Sequence, residues 1–81
     1  MEIRLEKQPR KYLKSVDEPT RKKLWKALEK LRQLEGDIVP LKGKRNLYRY
    51  KILHYRIIFR WIRGELVISV IEIDTRTNIK Y

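Results

Sequence analysis

From Leu41 to Gly64 the chain has no Asp or Glu, yet it carries Lys42, Lys44, Arg45, Arg49, Lys51, Arg56, Arg60 and Arg63. Such a run is suited to holding phosphate: Arg offers a planar fork of donors, Lys a compact point charge. Tyr48, Tyr50, Tyr55, Phe59 and Trp61 interleave the cations. That mixture is typical of surfaces that track nucleic acid. Arg49 and Lys51 are two residues apart, so on a strand they share a face. If the next strand folds back, Arg56 joins them. Given RNA, this trio has a definite chemistry. The 2′-hydroxyl of RNA is the nucleophile. Cleavage needs that oxygen in line with the phosphorus, a proton acceptor, charge stabilisation on the phosphate and a proton for the leaving 5′-oxygen. Positioning and electrostatics supply much of the barrier reduction. Arg56 suits the phosphate in the transition state, and Lys51, crowded by two arginines, is the candidate proton acceptor. His54 falls in a turn and reads as exposed or structural.

Twenty-one Lys and Arg against ten Asp and Glu give a net charge of +11. A small domain repels itself at that charge, so a polyanionic partner is implied. The hydrophobic share of 42% is too high for a disordered basic tail. With no cysteine and one histidine, disulfides, Cys-based zinc sites and a thiol nucleophile are excluded. No glycine-rich phosphate loop is present, and no cofactor or metal is expected. No apolar run reaches the length of a membrane span. The N-terminal Met1-Glu2-Ile3-Arg4-Leu5 is too charged for a signal peptide. One domain over residues 1–81, without a membrane partner and in the cytoplasm, is expected.

The elements that must position the cations follow from periodicity. Residues 2–6 alternate, which predicts a short strand with Ile3 and Leu5 on one side. Tyr12, Leu13 and Val16 predict a short helix with Pro9 near its start. Asp17 caps a second helix, with Pro19 in its first turn. Leu24, Leu28 and Leu31, widened by Trp25 and Leu34, form its apolar stripe, while Arg21 and the lysines take the solvent side. Gly36 reads as its stop, and residues 36–46 as a loop. Residues 47–53, 55–63 and 65–74 are β-rich. Their junctions are too short for crossovers, so they form hairpins. The expected fold is α+β, ordered strand-helix-helix-strand-strand-strand, with a helical hairpin on one face of a small twisted antiparallel sheet. Tyr48, Tyr50, Ile52, Ile57 and Phe59 should face the helices. Arg49, Lys51 and Arg56 should face away, with no carboxylate in residues 41–64 to relieve them. Glu72 and Asp74 share a strand face and are expected to balance nearby arginines.

The runs Leu41-Lys42-Gly43, Leu47-Tyr48-Arg49-Tyr50-Lys51-Ile52 and Tyr55-Arg56-Ile57-Ile58-Phe59 resemble the RelE/ParE toxin superfamily. The resemblance implies a toxin of a type II toxin–antitoxin pair. Its RelE-like branch implies a ribosome-dependent endoribonuclease that cuts mRNA in the ribosomal A site. Arg49, Lys51 and Arg56 then match the site-lining basic residues. Arg76 and Tyr81 match a further arginine and a C-terminal tyrosine, the latter as proton acceptor or base-stacking group. Lys42, Lys44, Arg45 and Arg60 are candidates for holding RNA. The ParE-like branch implies instead a toxin that binds DNA gyrase, and a non-catalytic basic RNA-binding module is a third reading. The implied partners are the ribosome, its mRNA and a cognate acidic antitoxin.

Overall fold

The structure, a computed structural model, describes residues 1–75. Its elements are β1 (Glu2–Leu5), α1 (Lys7–Ser15), α2 (Glu18–Leu31), β2 (Asp37–Pro40), β3 (Leu47–Ile52), β4 (Tyr55–Trp61) and β5 (Val67–Thr75). The strands form one sheet in the order β1-β5-β4-β3-β2. Strands β2 to β5 pair antiparallel, as hairpin-linked strands must.

Two features differ from the sequence expectation. First, β1 pairs parallel to β5, so the sheet is mixed. Periodicity identifies β1 as a strand, but nothing local ties its direction to a partner sixty-odd residues away. Second, the expected loop contains a strand, β2, paired along β3. Its four residues are too few to show a period, and Pro40 argues against a central strand. On a sheet edge a proline is tolerated.

Strands β1 and β2 lie at opposite edges. The chain leaves one edge, crosses as two helices and re-enters at the other. Both helices therefore pack on one face. Leu13 of α1 and Leu24, Ala27, Leu28 and Leu31 of α2 meet Tyr50, Ile57, Phe59, Ile68, Val70 and Ile73 in a single core. Alternation places those sheet residues on one side. A bulge keeps them there: Ile58 faces Glu72 while Phe59 faces Val70, which leaves Ile71 as the extra residue. Tyr48 stacks on Phe59 with ring centroids 5.3 Å apart.

The helix ends are tied down by side chains. Asp17 accepts a hydrogen bond from the Thr20 backbone N–H at 3.2 Å, and its bonds from Thr20 hold the carboxyl below its ordinary range. Arg21 does not take the solvent side as expected. It ion-pairs with Glu18 and donates to the carbonyls of Leu13 (2.8 Å) and Val16 (2.9 Å) at the end of α1. Those carbonyls have no intrahelical donor, and a guanidinium fork satisfies two at once. Helix α2 ends at Leu31, five residues before the expected stop, and Leu34 takes the left-handed conformation at φ 55°. Trp25 widens no buried stripe, since it is 45% exposed.

Where β1 stops, β5 runs on with a bare edge. Gln8 covers it: its amide accepts from Ile73 N–H and donates to Ile73 C=O, both at 2.8 Å. The side chain thus stands in for the strand residue that β1 lacks. Replacing Gln8 by Leu keeps the bulk and leaves a part-buried N–H and C=O unsatisfied. The expected loss is about 1–3 kcal/mol. It should appear in urea unfolding as a lower midpoint at unchanged slope.

Candidate functional site

The face opposite the helices is set by strand register. Lys51 lies directly across from Arg56. Arg49, two residues before Lys51, lies across from Ile58, two residues after Arg56. Neighbouring strands are about 4.8 Å apart, so the three cations form one cluster. The expected face is therefore the observed one. The side chains are half-buried rather than exposed, as is Tyr48 on the other face, whereas Tyr50 and Ile57 are buried. Ile58 projects from this open face and is still only 7% exposed. Its cross-strand neighbours are Arg49 and Glu72, whose long stems lie along it on this face. Arg49 keeps only 15% of its side chain exposed, and the Nε of Arg56 is buried.

Residues 41–64 hold no carboxylate to relieve these like charges, but the flanking strands supply them. Asp37 of β2 sits across from Lys51 and lies 3.4 Å from the Arg49 guanidinium. Asp74 of β5 sits across from Arg56. One row across four strands thus reads Asp37, Lys51, Arg56, Asp74, with charge signs minus, plus, plus, minus. Glu72 and Asp74 were legible in the sequence as balancing groups. Asp37 was not, because its strand was hidden. Lys51 therefore has a carboxylate, Asp37, on one flank and a cation, Arg56, on the other.

Two of the described tyrosines, Tyr50 and Tyr12, are shifted away from the role of proton acceptor. Burial, then Glu35, pushes the Tyr50 phenol up from its ordinary value. Burial, then Asp74, does the same to Tyr12, which meets Tyr55 edge to face at 6.4 Å. Both hold their protons more tightly than a free phenol. Arg76 and Tyr81 lie outside the described residues. His54 is exposed in the β3–β4 turn beside Leu53, whose φ is 53°. Among the described residues, no group of three or more His, Cys, Asp and Glu side chains could hold a metal.

The other predicted cations lie elsewhere. Lys42, Lys44 and Arg45 are exposed in the β2–β3 loop. This loop joins the end of β3 where Leu47 faces Arg60. Arg60 is four residues from Arg56, about 13 Å along the strand, and is 3.5 Å from Glu6. Arg49, Lys51 and Arg56 thus sit towards one end of the sheet, and Lys42, Lys44, Arg45 and Arg60 towards the other. No described helix is long and apolar enough to cross a membrane.

The hidden strand β2 is seated by Gly36. Its φ of +119° disfavours any side chain, and an added Cβ would lie 2.5 Å from Cε1 of the Tyr50 ring. Gly36→Ala is expected to displace Tyr50 and the start of β2, with Asp37. Strain and repacking together should cost about 1–3 kcal/mol. A lowered melting temperature checks this, since an 81-residue domain shifts by several degrees per kcal/mol.

Residues 3–79 match the family model described as the ParE toxin of type II toxin–antitoxin system, parDE. No curated protein matches the sequence. Several solved structures share the fold. The archaeal RelE–RelB complex from Pyrococcus horikoshii aligns with a TM-score of 0.74 at 21% identity, covering 96% of this chain and 97% of that one. The RelB–RelE antitoxin–toxin complex from Methanococcus jannaschii gives 0.69 at 26% identity, with 91% of each chain covered. The isolated E. coli RelE toxin gives 0.70 at 20% identity, covering 91% of this chain and 82% of that one.

Proposed function

The chain belongs to the ParE toxin family of type II toxin–antitoxin systems, within the RelE/ParE superfamily, and of the activities that superfamily spans we propose the RelE-like one, a ribosome-dependent endoribonuclease that cleaves mRNA in the A site. The observation that carries the reading is the cross-strand cluster of Arg49, Lys51 and Arg56 on the open sheet face. Three cations held half-buried on adjacent strands keep their mutual spacing, as charge stabilisation on a phosphate requires. Arg56 is one of the two inner positions of the row, flanked by Lys51 and Asp74. Its fork takes the phosphate oxygens, and Lys51 adds a point charge beside it. Arg49, paired with Asp37, reaches the phosphate by exchanging one carboxylate for another anion. The proton acceptor is assigned to Lys51 or to Tyr81, and Arg76 completes the cationic set. Lys42, Lys44, Arg45 and Arg60 hold RNA flanking the cut.

The cognate antitoxin is an acidic chain, drawn by the net charge of +11. A cleft lined by Met1, Ile3, Leu5, Trp25 and Leu28, with Glu2, Glu29 and Arg32 also in its wall, runs along the β1 edge and α2. It offers the apolar anchorage that such a chain needs beside charge. A cytoplasmic location goes with these partners.

A second reading is favoured by two specific observations. The matching family model is the ParE one, and the open face holds carboxylates among its cations. Both suit a toxin that acts by binding DNA gyrase without cleaving RNA.

The two readings part on Arg56→Ala. Cleavage of mRNA on translating ribosomes should fall by about 100- to 1000-fold, the usual cost of one transition-state charge donor. Arg56→Lys keeps a cation beside Asp74 and should melt as the parent does, so any lost cleavage in it reports the missing fork. Cleavage by Arg56→Ala at the parent rate would mean the site is misplaced. A parent protein that never cleaves but inhibits gyrase supercoiling would establish the second reading.

A further inference from the structure

The open sheet face is charge-compensated, so the surplus positive charge of the molecule must lie elsewhere. Much of it is on α1. That helix carries Lys7, Arg10, Lys11 and Lys14 and no acidic residue. The positions are i, i+3, i+4 and i+7, the spacing that normally defines an apolar stripe. Here it defines a cationic one, about 100° wide and about 10 Å long. Pro9 and Leu13, on the opposite side of the helix, are buried, and all four cations are exposed. None of the four forms an ion pair among the described residues. By contrast Arg4, Arg21, Arg32, Arg49 and Arg60 each have a carboxylate partner.

This arrangement works against the helix itself. Like charges at i,i+3 and i,i+4 repel. Lys7 sits in the first turn, where the helix dipole disfavours a cation; the acid at that end is the N-cap residue Glu6, whose carboxylate lies 3.5 Å from Arg60 and makes no capping bond. The stripe is thus a local destabilisation that binding an external anion would reverse.

The character of the stripe says which anion. It has no apolar or aromatic member, and three of its four residues are lysines. Lysine is depleted at protein–protein interfaces, whose cores need apolar or aromatic anchors. Binding single-stranded nucleic acid calls for exposed rings on which bases stack. One ring, Tyr12, lines a shallow hollow beside Lys7 and Lys11, but it is half-buried and meets Tyr55 edge to face, so a single ring and no row of them is offered. A straight row of point charges on a rigid helix instead fits a regular phosphate backbone. We propose that the Lys7, Arg10, Lys11, Lys14 face of α1 docks on the phosphate backbone of double-stranded RNA, without reading its sequence. Duplex RNA is recognised in this way, by its shape and its phosphates. The surface is separate from the open sheet face and stands whether or not that face cuts RNA.

The test is binding of a synthetic 20-base-pair RNA duplex, measured by fluorescence anisotropy across a salt series. The triple variant Lys7→Gln, Lys11→Gln, Lys14→Gln should bind at least tenfold more weakly. Its log–log salt slope should be shallower by about 0.9 for each phosphate that the variant no longer neutralises. Its melting temperature should be equal or higher, because repulsion is removed. The matched control, Lys22→Gln, Lys23→Gln, Lys26→Gln, loses the same charge from α2 and should retain most of the affinity. Equal weakening by the control would reduce the effect to net charge and overturn the proposal. Equal affinity for a single-stranded RNA of the same length would overturn the assignment to duplex. Tighter, stripe-dependent binding of a polyglutamate peptide would transfer the surface to an acidic protein and overturn it as well.

Discussion

A chain that leaves the sheet at one edge and re-enters it at the other must lay everything between across a single face. That crossing, from β1 to β2 through α1 and α2, governs the rest of the molecule. It places the leucines of α2 over the inner residues of β4 and β5 and makes one core. Neither of these helices covers the second sheet face, where long side chains pack beside one another. Ile58 is the measure of this: it is buried on that face, between the cross-strand neighbours Arg49 and Glu72. The arginines beside the candidate site therefore do two jobs, since their stems are packing groups and their heads are charges.

Burying those heads part-way requires compensation. The pairing of four strands brings Asp37 to one flank of the cationic pair and Asp74 to the other. A cluster of three bare cations would repel itself and remain mobile. Bracketed by carboxylates, it has a fixed geometry and can exchange one anionic neighbour for another. The supporting contacts follow the same logic. Gln8 completes the edge of the strand that carries Asp74, and Gly36 seats the strand that carries Asp37 against Tyr50. The site is thus held by groups that never face it.

Charge is also divided between layers. The sheet face is nearly balanced, whereas α1 presents a full stripe of cations with no acid on the helix. A small basic domain can meet a polyanion on one face and position a few cations on another, and the two need not be the same surface. Total charge alone does not distinguish these uses, because long-range attraction and local chemistry depend on different distances.

What the sequence by itself determined was whatever depends on neighbours along the chain. Alternation in residues 47–52 and 55–61 set which side chains share a face, so Arg49, Lys51 and Arg56 were brought together correctly. The short turn at Leu53 and His54 made those strands a hairpin. Asp17 marked a helix start that its bond to Thr20 realises. Only the tertiary structure decided the rest. The direction of β1 came from its packing beside β5, with no short connection to dictate it. Strand β2 exists because β3 offers it an edge, and four residues with a proline carry no period of their own. Arg21 turned inward because the carbonyls of α1 needed a donor that helix periodicity does not register. The balance of charge around Lys51 was invisible for the same reason. Side-chain electrostatics acts across a few ångströms of space, and the carboxylate that reaches Arg49 lies twelve positions away along the chain.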